Sequence, residues 1–148
     1  MNTPDPTQQM AYQVPRGNAV RRPGVDQPDM VFIKAERLGT DYIHHYLIQI
    51  IPMPADGLAM IYVDPEEMLI DCGGSARFEF SDGETRDDPG IGHIFENAQG
   101  TYLKVIEDPK SQKMFAFIDI TSGEVKRRQE RNVKTVYASW RARAVSGQ

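Results

Sequence analysis

The stretch "TYLKVIEDPKSQKMFAFIDI", residues 101–120, decides the fold class of this chain. Apolar and polar side chains alternate on both sides of a short segment, "PKSQ", that holds a proline and a serine. Alternation with a period of two is typical of a strand with one buried face, and turn formers between two such runs predict a β-hairpin. We therefore predict antiparallel strands over residues 101–108 and 113–120.

The chain from Met30 onward has the same texture. Short apolar or alternating runs are divided by clusters of turn-forming residues, and these runs are "MVFIKAERL", "DYIHHYLIQII", "LAMIYV", "EMLID", "ARFEF" and "HIFEN". The segment "SDGETRDDPGIG" before the last run predicts a loop, because it concentrates Gly, Asp and Pro. Strands this short and this regularly spaced predict a mainly β domain over residues 30–148, a single antiparallel sandwich or a barrel-like fold.

The apolar residues near the C-terminus recur at helical spacing. They are Val133, Val136, Tyr137, Trp140 and Ala144. This spacing predicts an amphipathic helix over residues 130–144 that packs Trp140 on the sheet, which would make the fold α+β. The β-branched residues of the same segment favour a strand instead.

Residues 1–29 hold five of the ten prolines and show neither helical nor strand periodicity. A segment of this composition buries too little apolar surface to offset the entropy lost on ordering. We therefore predict an extended N-terminal arm, partly of polyproline type. Four of its side chains are candidates for contact with a partner: Tyr12, Val14, Arg21 and Arg22.

Length and composition indicate one globular domain. The chain has 148 residues, of which 40% are hydrophobic, and its formal net charge is −4. The single cysteine excludes an intrachain disulfide, the first thirty residues contain no apolar run typical of a secretory signal, and the apolar stretch 42–55 is too short to span a bilayer. We expect a protein that acts inside a cell or in a virion and does not bind membranes.

Charge is distributed unevenly along the chain. Residues 30–122 hold seven basic and sixteen acidic side chains, a net of −9, whereas residues 123–148 hold seven basic and two acidic ones, a net of +5. The C-terminal segment is therefore the part expected to attract a polyanion, and opposed charged ends would also allow copies of the chain to bind head to tail.

No group of residues predicts a catalytic or metal site. His44 and His45 are adjacent, so on a strand they point to opposite faces and do not share a ligand, and neither they nor His93 follow a zinc-binding spacing. Cys72 in "IDCGGS" stands where a nucleophile at a sharp turn would stand, but no base accompanies it, so we predict a buried structural thiol.

The acidic loop holds carboxylates that could bind Ca²⁺ through their oxygen atoms. Its carboxylates are Asp82, Glu84, Asp87 and Asp88. Their spacing is not that of an EF-hand, so we predict a solvated turn. We expect neither a cofactor nor an enzymatic activity.

The basic run "KRRQER" and the nearby aromatic residues favour a nucleic-acid-binding alternative. The stretch "KMFAFIDI", residues 113–120, partly resembles the RNP1 strand of RNA-recognition motifs, whose aromatics stack on bases. Met114 and Ile120 stand where that strand has Gly and an aromatic residue, so we assign no family. A generic single-strand-binding β-barrel would use Lys113, Phe115, Phe117, Arg127, Arg128 and Arg131.

A structural role accounts for more of these features. We predict a non-catalytic assembly subunit that docks on neighbouring protein subunits, in a homo- or hetero-oligomer, and holds them with its N-terminal arm. Decoration, cement and tail proteins of virions share this anatomy, as do accessory subunits of large complexes. Phe115 and Phe117 would then pack against protein rather than against bases.

Overall fold

The structure is a computed structural model, and it describes residues 8–24, 30–54, 58–80, 82–86, 88–108, 111–127 and 131–143. The described part of the chain is mainly β, which confirms the predicted class. Its thirteen strands are β1 Gln8–Met10, β2 Asn18–Arg21, β3 Val31–Leu38, β4 Ile43–Ile51, β5 Ile61–Val63, β6 Met68–Ser75, β7 Arg77–Phe80, β8 Ile94–Asn97, β9 Gly100–Asp108, β10 Ser111–Asp119, β11 Val125–Lys126, β12 Thr135–Tyr137 and β13 Trp140–Arg143. A 3₁₀ turn, Ala11–Gln13, follows β1.

The strands form three antiparallel sheets. The first sheet has the order β1-β6-β2-β3-β4-β5, the second has the order β11-β10-β9-β8-β12, and the third is the pair β13-β7. Two isolated β-bridges connect the first and second sheets. One joins Glu36 of β3 to Glu124, the residue before β11, and the other joins Ala59, in the connection before β5, to Ile106 of β9. The described strands do not close into a barrel.

The predicted hairpin of residues 101–120 is confirmed as β9 and β10. Phe115 pairs with Ile106, and the ladder continues to the pair of Asp119 and Tyr102, with a register irregularity between Ser111 and Phe115. The alternation of apolar and polar residues agrees with this pairing. Successive side chains of a strand point to opposite faces of the sheet, so an alternating sequence gives the two faces different polarity.

The main core lies between the first and second sheets. Ile33 and Ile48 of the first sheet, Leu103 and Ile118 of the second, and Trp140 of β13 belong to one cluster of buried side chains. Ala116 and Ile118 of β10 face this core, whereas Met114 on the same face of the strand is 47% exposed. Burial of such side chains stabilises a fold by about 1.5–3 kcal/mol each.

The predicted N-terminal arm is wrong for the residues that the structure describes. β1 pairs with β6, and β2 lies between β6 and β3 in the middle of the first sheet. The side chains of Ala11, Val14, Ala19 and Val20 are buried. The segment gains its hydrogen bonds and its apolar contacts from strands distant in sequence, so its own composition does not reveal them. Residues 1–7 and 25–29 lie outside the described part.

The predicted C-terminal helix is also wrong. Within residues 131–143 the structure shows β12, which pairs with β8, and β13, which pairs with β7. Pairing with these strands satisfies backbone groups that a helix would have bonded locally, and it suits the β-branched residues Thr135 and Val136. Trp140 does pack on the core, as predicted: it is 7% exposed, and its Nε1 donates to the carbonyl of Gly92 at 2.6 Å.

Two glycines meet where the N-terminal segment crosses the turn before β11. Gly17 donates its N–H to the carbonyl of Lys34 at 2.7 Å, and the carbonyl of Gly123 accepts from the N–H of Glu36 at 3.0 Å. Gly123 has a φ of 74°, and a Cβ built on it would lie 2.2 Å from the nitrogen of Gly17. The two backbones approach closely because Gly123 carries no side chain.

Candidate functional site

One end of the first sheet carries a row of aromatic side chains. Tyr46 of β4 packs at the margin of the main core, and His44 and Tyr42 continue its face of the strand outward. The centroid distance is 4.6 Å between the Tyr42 and His44 rings and 6.4 Å between His44 and Tyr46. Tyr62 of β5 pairs with Tyr46 in the ladder, with ring centroids 6.2 Å apart. We call Tyr42, His44, Tyr46 and Tyr62 the aromatic row.

The turn between β3 and β4 exposes apolar side chains on its other face. Leu38 and Ile43 are partners in the ladder and are 63% and 43% exposed, and Tyr42 is 65% exposed. The N–H of Gly39 donates to the carbonyl of Tyr42 at 2.8 Å and closes the turn. We call residues 38–43 the hairpin tip. Its apolar residues are thus accessible from both faces of the hairpin.

An ion cluster of Arg37, Glu107 and Arg127 lies beside the aromatic row. Arg37 and Arg127 both form salt bridges to Oε1 of Glu107, with Nη2 of Arg127 at 2.7 Å. Nη2 of Arg37 also donates to the hydroxyl of Tyr46 at 2.8 Å, and the guanidinium carbon lies 5.5 Å from the centre of that ring. The cluster therefore ties β3 to β9 and orients Tyr46.

Glu107 stays ionised in this cluster. Its side chain is only 10% exposed, and burial alone would raise its pKa, but hydrogen bonds from Arg37 and Arg127 outweigh burial and hold the pKa below its ordinary value. The carboxylate is thus committed to the two guanidinium groups. It does not have the raised pKa that suits a general acid.

The aromatic row does not form a flat stacking platform. The Tyr42 and His44 rings are inclined by 61°, and those of Tyr46 and Tyr62 by 80°. Edge-to-face packing of this kind leaves a ridged surface of ring edges and hydroxyl groups. Leu38 and Ile43 lie on the other face of the hairpin, so this end of the sheet presents tyrosine side chains on one face and aliphatic side chains on the other. Both are residue types found in protein–protein interfaces.

The predicted pair of stacking phenylalanines is separated by burial. Phe117 is 3% exposed, with its ring centroid 5.7 Å from that of Phe95. It shares a small core with Tyr102 and Val136, so the expectation that it packs against protein is confirmed. Phe115 is 38% exposed, and Nζ of Lys104 lies 4.6 Å from its ring centre. The two rings therefore offer no common surface to a base.

Of the four predicted basic residues, the structure describes the side chains of two. Arg127 joins the ion cluster, and Arg131 is exposed in the turn before β12. Arg128 and the side chain of Lys113 lie outside the described part of the chain.

Salt bridges balance part of the charge asymmetry read from the sequence. Three basic residues of the C-terminal segment pair with acidic residues of the preceding part of the chain: Arg127 with Glu107, and Arg141 and Arg143 with Glu79. These contacts distribute the positive charge among acidic neighbours. They weaken the case for a polyanion-binding end and for head-to-tail association by charge.

The four residues predicted for the arm differ in exposure. Val14 is buried, whereas Tyr12 is 54% exposed. Arg21 is half-buried, and Nε of Arg22 lies 2.8 Å from Oε2 of Glu67, the residue before β6. Val14 and Arg22 thus make contacts within the fold, and contact of this group with a partner stays a prediction.

The enzyme and metal candidates are scattered in the structure. His44 belongs to the aromatic row, and His45 is buried on the opposite face, as the strand predicts. Cys72 is half-buried against the main core, and burial raises the pKa of its thiol. Among the described residues, no three His, Cys, Asp or Glu side chains form a group that could hold a metal ion.

Two carboxylates of the acidic loop form salt bridges within the loop. Arg86 forms salt bridges to Glu84 at 3.2 Å and to Asp88 at 3.0 Å. Asp87 lies outside the described residues.

Sequence reasoning missed the aromatic row and its ion cluster. A signal was present in "DYIHHY", where aromatic side chains alternate at 42, 44 and 46.

The described residues contain no helix long and apolar enough to cross a membrane. Comparison of the chain with protein-family models, curated proteins and solved structures gave no match.

Proposed function

We propose that this chain is a non-catalytic assembly subunit that docks on a neighbouring protein subunit through the aromatic row and the hairpin tip. The observation that carries the proposal is the concentration of accessible apolar side chains at one end of the first sheet. Leu38, Tyr42, Ile43 and Tyr62 are 63%, 65%, 43% and 60% exposed. Single exposed apolar residues are ordinary on soluble proteins, whereas a group of them marks an interaction surface.

The chemistry of this surface favours a protein occupant. Leu38 and Ile43 are aliphatic and do not stack on bases, and the rings of the aromatic row are inclined to one another. Tyrosine and arginine are the residues on which binding energy most often concentrates at protein interfaces, and Arg37 and Arg127 lie beside the tyrosines. The ion cluster would hold Tyr46 in place before binding and so lower the entropy cost of association.

The scaffold supports the same role. The first and second sheets share the main core, and we infer that they form a sandwich that presents the aromatic row on a rigid base. A decoration, cement or tail protein of a virion, or an accessory subunit of a large cellular complex, would use such a base. The extended arm has no part in this proposal, because β1 and β2 of this segment belong to the first sheet.

Site-specific photo-cross-linking tests the proposal. p-Benzoylphenylalanine replaces Tyr42 in one variant and Phe80 in a control variant, since Phe80 is also aromatic and is 40% exposed. Each variant is expressed in the source organism and irradiated. We expect one discrete cross-linked protein, a second copy or another subunit, from position 42 and not from position 80.

A matched pair of double variants completes the test. Leu38→Ser with Tyr62→Ser should lower the position-42 cross-link at least tenfold, an estimate that takes two central contacts at about 1 kcal/mol or more each. Met10→Ser with Met68→Ser alters another exposed apolar pair of the same sheet and should leave the cross-link intact. Three outcomes would refute protein docking: equal cross-linking at positions 42 and 80, no cross-link at position 42, or a nuclease-sensitive product at position 42. A nuclease-sensitive product would point to single-stranded nucleic acid as the partner.

A further inference from the structure

Lys34 of β3 is fully buried on the outer face of the first sheet, away from the main core. Its Nζ donates to Oε2 of Glu36 at 2.6 Å and to the carbonyl of Val14 at 3.2 Å. Its own carbonyl accepts the N–H of Gly17 at 2.7 Å. Lys34 therefore holds residues 11–17 at two points, through its side chain and through its main chain.

His45 lies across the ladder from Glu36 and is 5% exposed. Its Nδ1 is 3.7 Å from Oε2 of Glu36, beyond hydrogen-bond distance, and within the described residues this buried nitrogen has no hydrogen-bond partner. A buried polar atom without a partner costs about 1–3 kcal/mol. Such an atom beside a carboxylate is positioned to accept a proton and then bind that carboxylate.

We infer that Lys34, Glu36 and His45 form an acid-sensitive latch, and that protonation of His45 releases residues 11–17 from the outer face of the first sheet. With His45 neutral, the site holds one ammonium and one carboxylate. With His45 protonated, two cations share the carboxylate of Glu36 in a buried site. The bond between Lys34 and Glu36 then weakens, and the ammonium that holds Val14 becomes costly to keep buried.

The surrounding charges support this direction. From β3, Lys34 and Glu36 face His45, while the residue opposite on β5 is the apolar Val63. On its own strand, His44 adds a weak repulsion. The charged residue of the segment itself, Arg16, pairs with Glu124.

The pH range over which residues 11–17 are released follows from the difference between the pKa of His45 in the closed state and its pKa in the released state. Burial, and then the charge of Lys34, hold the pKa of His45 below its ordinary value of 6.5, whereas in the released state the ring is hydrated and titrates normally. The closed state is therefore fully favoured above pH 6.5 and loses its advantage as the pH falls toward the lowered pKa. Within that window the equilibrium constant for opening rises by up to about tenfold per pH unit.

Release of residues 11–17 would expose part of a second cluster of buried side chains, which lies on the outer face of the first sheet. Val14 is 1% exposed and contacts the cluster that includes Phe32 and Leu69. Release of residues 11–17 also breaks the main-chain bonds from Ala11 to Glu67 and from Tyr12 to Pro65. The ladders of β1 and β2 with β6 lie outside these residues and stay paired, so opening is a local event.

Hydrogen–deuterium exchange between pH 8 and pH 5.5 tests the latch, with rates corrected for intrinsic exchange. Peptides covering residues 11–20 should lose protection at acid pH in the wild type, while peptides of β9 should not. His45→Gln should abolish the acid response, whereas His44→Gln and His93→Gln should retain it. An acid response that persists in His45→Gln, is absent from the wild type, or extends equally to β9 would overturn the inference.

A titration of the wild type keeps the test decisive if His45→Gln does not fold. Histidine ring and backbone amide shifts are followed together by nuclear magnetic resonance. The amides of Val14, Arg16 and Gly17 should titrate with the midpoint of the His45 ring, below pH 6.5. Midpoints that follow another histidine, or amides that do not titrate, would contradict the latch.

Discussion

Gly123→Ala should destabilise the protein far more than Gly24→Ala, although the two glycines have nearly the same positive φ angle. Their φ angles are 74° and 75°. A Cβ at position 123 would lie 2.2 Å from the nitrogen of Gly17 and 2.7 Å from the carbonyl oxygen of Lys34, whereas at position 24 no atom of the described residues lies within 4 Å. The pair therefore separates conformational strain from steric overlap.

The magnitudes follow from these contacts. A left-handed conformation costs an alanine about 1–2 kcal/mol, partly offset by about 0.4–1 kcal/mol from a stiffer unfolded chain, so Gly24→Ala should cost about 1 kcal/mol. At position 123 the backbones must also separate. This weakens the hydrogen bonds from Gly17 to Lys34 and from Glu36 to Gly123. Two buried bonds at about 1–2 kcal/mol each bring the total for Gly123→Ala to about 3–5 kcal/mol.

Urea unfolding measures the difference, followed by the fluorescence of Trp140, which is the single tryptophan of the chain and is buried. A loss of 3–5 kcal/mol is a large part of the stability of an ordinary domain. Failure of Gly123→Ala to fold where Gly24→Ala folds would agree with the argument. Free energies of unfolding within about 1 kcal/mol of each other would refute the close crossing of residues 17 and 123.

Two further stability measurements probe the second sheet and the ion cluster. Phe117→Ala should lower the free energy of unfolding by about 3–5 kcal/mol, and the exposed Phe115→Ala by about 1 kcal/mol or less; similar losses would contradict the burial of one ring. Glu107→Gln should cost about 2 kcal/mol at pH 7. Because the pKa of Glu107 is lowered by folding, this difference should shrink as the pH falls below 4.5, and a constant difference would argue against an ionised carboxylate.

Local patterns predicted the parts of the fold that depend on local contacts. The hairpin of β9 and β10 was predictable because both strands alternate along their own length and a short connection joins them. The opposite orientation of His44 and His45 followed from the pleat alone.

Long-range pairing explains the two errors of the sequence-based expectations. Val20 pairs with Phe32 on one side and with Asp71 on the other, so β2 becomes a central strand through residues that its own proline-rich context does not indicate. Val136 pairs with Phe95, some forty residues earlier. In both segments the hydrogen bonds that decide the structure are made with distant strands.

The candidate site shows the same division. The alternation of Tyr42, His44 and Tyr46 is visible in one short stretch, and its periodicity alone places these rings on one face of a strand. Their exposure is not visible there, because it depends on what packs against that face in the folded protein. The salt bridge between Arg37 and Glu107 joins residues seventy positions apart, so only the packed sheets bring them together.

The sequence by itself determined the β class, the main hairpin and the facing of its strands, because side-chain alternation is a property of each strand alone. The tertiary structure decided which segments became strands without a local signal, which phenylalanine was buried, and which charges met. Those outcomes depend on partners that lie far away along the chain, and only strand pairing and core packing select them. The accessible aromatic row and the buried Lys34, Glu36 and His45 both belong to this second group.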